Sequence, residues 1–177
     1  MKRISGLAGQ PLKWEQPRVL KMEYNLTSGD ELVATLKFRS SFGSLATGES
    51  ADGCWTFKRV GFWQTRATIR ACNSDDDIAS YRNNTWSCGG TLELADGQKI
   101  LGTTNFWQTK FGFEKESGEK LIQFTNGGLI HLSAVVEILP EAHSMRELPW
   151  MVMLGWYLVV MMHHDAAIAG GAVAAAS

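Results

Sequence analysis

Cysteine is scarce in this chain and follows no pattern. Cys54, Cys72 and Cys88 are an odd number of thiols with no Cys-x-x-Cys spacing, which argues against a disulfide framework and against a cysteine-rich zinc site. The expectation is reduced, half-buried strand cysteines in a cytoplasmic protein. An excess of charge of either sign is also missing. Lys and Arg number 17 against 18 Asp and Glu, a formal net charge of -1, so no global attraction draws the chain to nucleic acid. The start, MKRISGLAGQPLKWEQPR, is basic but lacks an apolar core, and it does not read as a secretory signal. The sequon Asn25-Leu26-Thr27 is then expected to be chance. No serine or cysteine sits in a nucleophile elbow, and no glycine-rich phosphate loop precedes a helix. No catalytic residue, cofactor or metal is therefore expected. Within His163-His164-Asp165, adjacent helical positions diverge by about 100°, poor convergence for one metal ion. The cluster reads as a solvated helix end, and His131, between Ile130 and Leu132, as an outward or satisfied strand histidine.

What is present is a run of short alternating segments. The 177 residues are 45% hydrophobic and 20% charged, ordinary for a globular chain. In Glu31–Arg39, Leu36 and Phe38 face one way while Thr35, Lys37 and Arg39 face the other. Trp55 and Phe57 oppose Thr56 and Lys58, and Ala67 and Ile69 oppose Arg66, Thr68 and Arg70. A period of two marks strands with one buried face. A similar alternation from Val19 to Tyr24 predicts a strand from about Arg18. Turn signals recur about every ten residues, among them Ser28-Gly29-Asp30, Ala95-Asp96-Gly97 and Ser117-Gly118. The spacing predicts eleven or twelve strands in an antiparallel meander, with no helical periodicity before Glu141.

A repeat runs through the meander. Ala51-Asp52-Gly53 and Phe62-Trp63-Gln64-Thr65 return 44 positions later as Ala95-Asp96-Gly97 and Phe106-Trp107-Gln108-Thr109. The Phe-Trp pairs are expected to be equivalent aromatic plugs in the core. A repeated ligand pocket would leave the same text.

After Leu139-Pro140 the pattern changes to an uncharged run, Leu148 to Met162. Pro149 suits the first turn of a helix. The run is shorter than the roughly 20 apolar residues of a membrane span. Extending it through the Ala/Gly tail would bury Asp165 in lipid at a cost of about 2.5–3.5 kcal/mol. An interfacial helix would need a polar face, which the run lacks. A helix that is apolar all round suits an enclosed position. Packing a dozen such side chains inside a barrel is worth on the order of 20 kcal/mol as an upper bound before entropy.

An antiparallel meander ending in an oily helix resembles the tubby C-terminal-like superfamily, which includes tubby-like proteins, phospholipid scramblases and LURP-one-related proteins. The two Phe-Trp-Gln-Thr segments and the run Leu148 to Met162 look like a bacterial branch of it. The resemblance implies a mainly β fold, an antiparallel barrel of about 12 strands enclosing a hydrophobic C-terminal helix near 149–163. Tubby-like members bind phosphoinositide headgroups through basic residues. Scramblases are associated with a calcium-binding segment, and Asp75-Asp76-Asp77 lacks the alternating ligands of an EF-hand loop. The expected organisation is a flexible arm at 1–17, the barrel at 18–165 and an Ala/Gly-rich tail at 166–177. The expected role is a non-enzymatic binding or scaffold module, cytoplasmic and peripheral to the membrane. Its partner would be an anionic lipid or membrane surface, with no nucleic acid, and Lys58, Arg66, Arg70 and Lys110 form the candidate patch. The rivals are a small single-pass protein anchored by the C-terminal helix and an enzyme with an unrecognised barrel-mouth pocket.

Overall fold

Alternating burial carries through the barrel. The computed structural model describes residues 1–7, 9–61, 65–84, 89–105, 107–127 and 132–175, with side chains through 170. Among the described residues there are twelve strands: β1 (Leu12–Glu15), β2 (Glu23–Ser28), β3 (Glu31–Phe38), β4 (Ala46–Ser50), β5 (Gly53–Val60), β6 (Arg66–Ala71), β7 (Asp77–Asn83), β8 (Gly89–Leu94), β9 (Lys99–Thr104), β10 (Lys110–Lys115), β11 (Lys120–Gly127) and β12 (Ser133–Ile138). Each pairs antiparallel with its sequence neighbours, and β1 pairs with β12, so the sheet closes into a barrel without a free edge. Helix α1 (Leu148–Ala175) threads it. The mainly β barrel enclosing a C-terminal helix is the fold expected from the sequence.

The lumen is filled rather than open. Met151–Tyr157 of α1 is fully buried or nearly so, against inward residues such as Leu36, Phe57 and Ile69. Trp156 stacks on Trp14 with centroids 5.8 Å apart, and Tyr24 meets it edge-on at 5.5 Å. Tyr157 lies between Phe38 and Phe57, at 5.6 and 5.7 Å. Aromatic pairs at these separations add to the energy of plain burial. One glycine is demanded by close approach: a Cβ on Gly155 would collide with the ring of Phe124 on β11.

The antiparallel order gives the barrel two ends. The connections after β1, β3, β5, β7, β9 and β11 lie at one end, and those after the even-numbered strands lie at the other. Helix α1 starts after β12 and runs toward the first of these. There the Tyr157 hydroxyl donates to the Ser44 carbonyl, 2.7 Å away in the β3–β4 connection. That end is the exit end; the opposite one is the far end. The far end is covered by a 3-10 turn, Ile4–Gly6, packed on α1, with Ile4 fully buried. The Asp52 carboxylate accepts the Ile4 amide at 2.7 Å and the Ser5 hydroxyl at 3.1 Å.

Several expectations are corrected. Residues 1–17 are not a loose arm, because β1 lies within them and completes the barrel between β12 and β2. Leu12 and Trp14 point inward and Lys13 and Glu15 outward, the alternation of a strand only four residues long. The strand expected from Arg18 begins at Glu23. Helix α1 does not stop at 163; it continues through Asp165 into the Ala/Gly segment. Alanine is the strongest helix former, and no proline intervenes. The cysteines are not all reduced either. Cys54 and Cys72 face each other across β5 and β6, Cα atoms 5.4 Å apart, and are joined by a disulfide. Cys88 lies outside the described residues.

Candidate functional site

Strand parity leads to a cation inside the mouth. Phe57 faces the lumen, so Arg59, two residues on, does as well. Its guanidinium meets the Asp165 carboxylate through two contacts, Nη1–Oδ1 at 3.0 Å and Nη2–Oδ2 at 2.9 Å. This fork-on-fork pairing is the strongest geometry Arg and Asp have. It fastens the helix to the barrel wall where α1 emerges. Asp165 therefore has a partner while remaining helical.

Beside this pair is a cavity of about 200 Å³. Arg59, Asp165, Asn83 and Asn84 line its polar side, and Arg66, at the start of β6, borders it from the outer face. Phe111, Leu158 and Met161 supply an apolar floor. Tyr81 closes one wall, its ring so close to Gly90 and Gly102 that a Cβ at either would collide with the hydroxyl. Burial pushes the Tyr81 phenol above its ordinary range. Burial also raises Tyr157 to about 12, against smaller opposing effects of the Arg59 charge and the Ser44 hydrogen bond. Both phenols are therefore neutral at physiological pH. The cavity offers positive charge and amide donors above an apolar base, which suits an anionic group attached to an apolar body.

The expected patch is divided by the structure. Lys58, Arg66 and Arg70 share the outer face of β5 and β6, where Lys58 sits opposite Thr68, diagonal to both arginines. Arg70 is engaged by Asp77, with Nε 2.6 Å from Oδ1. Lys110 is on β10, four strands round the barrel from β6. Among the described residues Lys58, Arg66 and Lys110 make no ion pair, and of the four only Arg66 reaches the cavity. Sequence reading missed Arg59, Asn83 and Asn84. Arg59 was legible from parity, since it shares the inward face of Trp55 and Phe57.

The expected aromatic plugs are also corrected. Trp107, the described member of the Phe-Trp pairs, is 77% exposed in the β9–β10 connection. Phe62, Trp63 and Phe106 lie outside the described residues, as does His131. His163 is exposed rather than part of a ligand cluster. Among the described residues no group of three His, Cys, Asp or Glu side chains is placed to hold a metal ion. Set against protein-family models, curated proteins and solved structures, the chain matches none of them.

Proposed function

We propose that the protein is a non-enzymatic binding module whose cavity at the helix exit takes the headgroup of an anionic phospholipid. The observation that carries this reading is the pairing of Arg59 and Arg66 with an apolar floor in one cavity. Arginine presents a planar fork matched to phosphate. At about 200 Å³ the space is below the roughly 300–1,000 Å³ that encloses a drug-sized ligand, so it suits a headgroup rather than a whole lipid. Kinship with the tubby C-terminal-like superfamily belongs to the same reading, supported by the order of twelve strands and a terminal helix. A membrane-peripheral location follows from the ligand. For the compartment, the Cys54–Cys72 bond favours an oxidising one over the cytoplasm.

Calorimetry with a short-chain phosphatidylglycerol below its micelle concentration tests the reading, with the phosphatidylcholine of equal chain length as the neutral control. Binding is expected for the anionic lipid and is lost in Arg59→Ala/Arg66→Ala. Asp165→Asn removes the carboxylate that competes for Arg59 and is expected to tighten binding several-fold. Equal binding of the two lipids, or an unaffected double variant, would overturn the proposal.

A further inference from the structure

The connections at the two ends have opposite chemistry. At the far end, every connection between strands carries an acid: Asp30, Asp52, Asp75 with Asp76, Asp96, and Glu116 with Glu119. At the exit end, segments 16–22, 39–45, 61–65, 84–88, 105–109 and 128–132 contain no Asp or Glu at all. Each of them contains at least one large apolar or aromatic residue, and Arg18, Lys21 and Arg39 add positive charge.

Some of the described exit-end side chains turn outward, while Met22 and Leu132 pack against the core. Leu20 is 94% exposed, Phe42 95% and Trp107 77%. They occupy three separate connections around the mouth. Each is held by local hydrogen bonds. The Gln16 side-chain amide donates to the carbonyls of Val19 and Lys21, at 3.3 and 2.9 Å, bracing the Leu20 turn. The Arg39 amide donates to the Leu45 carbonyl at 2.9 Å, closing the Phe42 loop. Beside Trp107, Gln108 has φ 53°, in the left-handed region that residues other than glycine seldom adopt. It is fixed there by the Asn126 side chain, which donates to the Gln108 carbonyl at 2.8 Å, while the Gln108 amide donates to Asn105 at 2.9 Å. A fourth apolar feature rises from the centre of the mouth. Past Asp165 the helix has no charged residue, and Ile168 is 60% exposed. Residues 166–175 add about 15 Å of helix, comparable to one leaflet's half of a hydrocarbon core roughly 30 Å thick.

We infer that the exit end is a bilayer-docking face: Leu20, Phe42, Trp107 and the helix beyond Asp165 insert into a membrane, and the surrounding cations meet anionic headgroups. Separated convex tips around a projecting helix fit a deformable lipid surface. A rigid protein partner would have to provide a matching hollow for each. Aromatic tips with basic neighbours are the composition of a membrane interface, and the acidic far end would be kept away from an anionic leaflet. The inference adds to the headgroup reading an orientation, the barrel axis along the membrane normal, and shares with it only the exit end as the lipid side.

Vesicle flotation of the full chain tests it, using phosphatidylcholine vesicles with and without 30% phosphatidylglycerol (about one lipid in three, enough to give the surface a strong negative potential). Leu20→Asp/Phe42→Asp/Trp107→Asp should lower partitioning by on the order of a thousandfold, since each withdrawn side chain of this size contributes about tenfold or more. Val135→Asp, at a 51% exposed position on the barrel wall, should leave it unchanged. Circular dichroism and the melting temperature establish that the triple variant is folded. Should it fail to fold, quenching of wild-type tryptophan by bromine-labelled lipid, reduced in Trp107→Phe, provides the same test. Short-chain phosphatidylglycerol binding separates this inference from the headgroup reading: the triple variant retains it, whereas Arg59→Ala/Arg66→Ala loses it. Equal flotation of wild type and triple variant would overturn the inference. So would a wild-type dimer in lipid-free buffer that the triple variant dissociates, if no vesicle binding accompanies it; the face would then belong to a second copy.

Discussion

The two ends of the barrel are built by one sheet and share one helix, yet they solve opposite problems. The far end is covered: the turn Ile4–Gly6 lies on α1, pinned by Asp52, and acidic turns surround it. The exit end leaves a cavity beside the helix and points Leu20, Phe42 and Trp107 into solvent. Exposed apolar groups scattered singly over a surface need no explanation; a set gathered at one end, with acids excluded from its connections, is what the docking inference rests on. The contrast shows that the barrel is a polarised scaffold. The strands supply stability in common, and the odd-to-even connections carry what differs.

The largest effect is expected from the axis the two ends share. Trp156→Ala removes the ring stacked on Trp14 and should cost about 3–5 kcal/mol in denaturant unfolding. Both ends should melt in a single transition; separate melting of the ends would break the comparison. Next is the far-end bridge. Reducing Cys54–Cys72, 18 positions apart, should cost about 3 kcal/mol while leaving vesicle binding by the folded protein unchanged. A thiol count that rises by two on reduction checks the bond directly. The smallest effect concerns pH. All three tyrosines, Tyr24, Tyr81 and Tyr157, are buried. Burial raises Tyr24 and Tyr157 to about 12 and Tyr81 further. A phenol whose folded pKa lies above its unfolded value favours the protonated folded state. Its stabilisation is complete below the unfolded value near 10 and is lost as pH rises toward 12. Phenolate absorbance should therefore appear only together with alkaline unfolding. Titration of any tyrosine in the folded state near pH 10 would contradict this burial.

Much of the fold was legible because it depends on periodicity. A period of two placed Leu36, Phe57 and Ile69 inward, and an uncharged run of limited length placed α1 among them. What was lost depended on register or partners. The Cys54–Cys72 bond follows from Trp55 facing Ala71 across β5 and β6, a pairing that sequence spacing does not reveal. The helix was expected to end at a charged residue because Arg59, the partner that accommodates Asp165, lies 106 positions away. Strand β1 is short and flanked by Pro11 and Pro17, so its two inward residues, Leu12 and Trp14, gave too little alternation to recognise. The Phe-Trp repeat reads in the sequence as equivalent aromatic plugs in two halves of one sheet system, because aromatic size suggests core; of the two pairs only Trp107 is among the described residues. The position of Trp107 in a connection, rather than in a strand, decides that it faces out.

The most direct test of the exit end as the lipid-facing end is hydrogen–deuterium exchange of the wild-type chain with and without phosphatidylglycerol-containing vesicles. Vesicles should slow exchange in 16–22, 39–45, 105–109 and the helix beyond Asp165, and leave 29–30, 72–76, 95–98 and 116–119 unchanged. Protection at the acidic connections, or the same exchange with and without lipid, would contradict the polarity on which this functional reading depends.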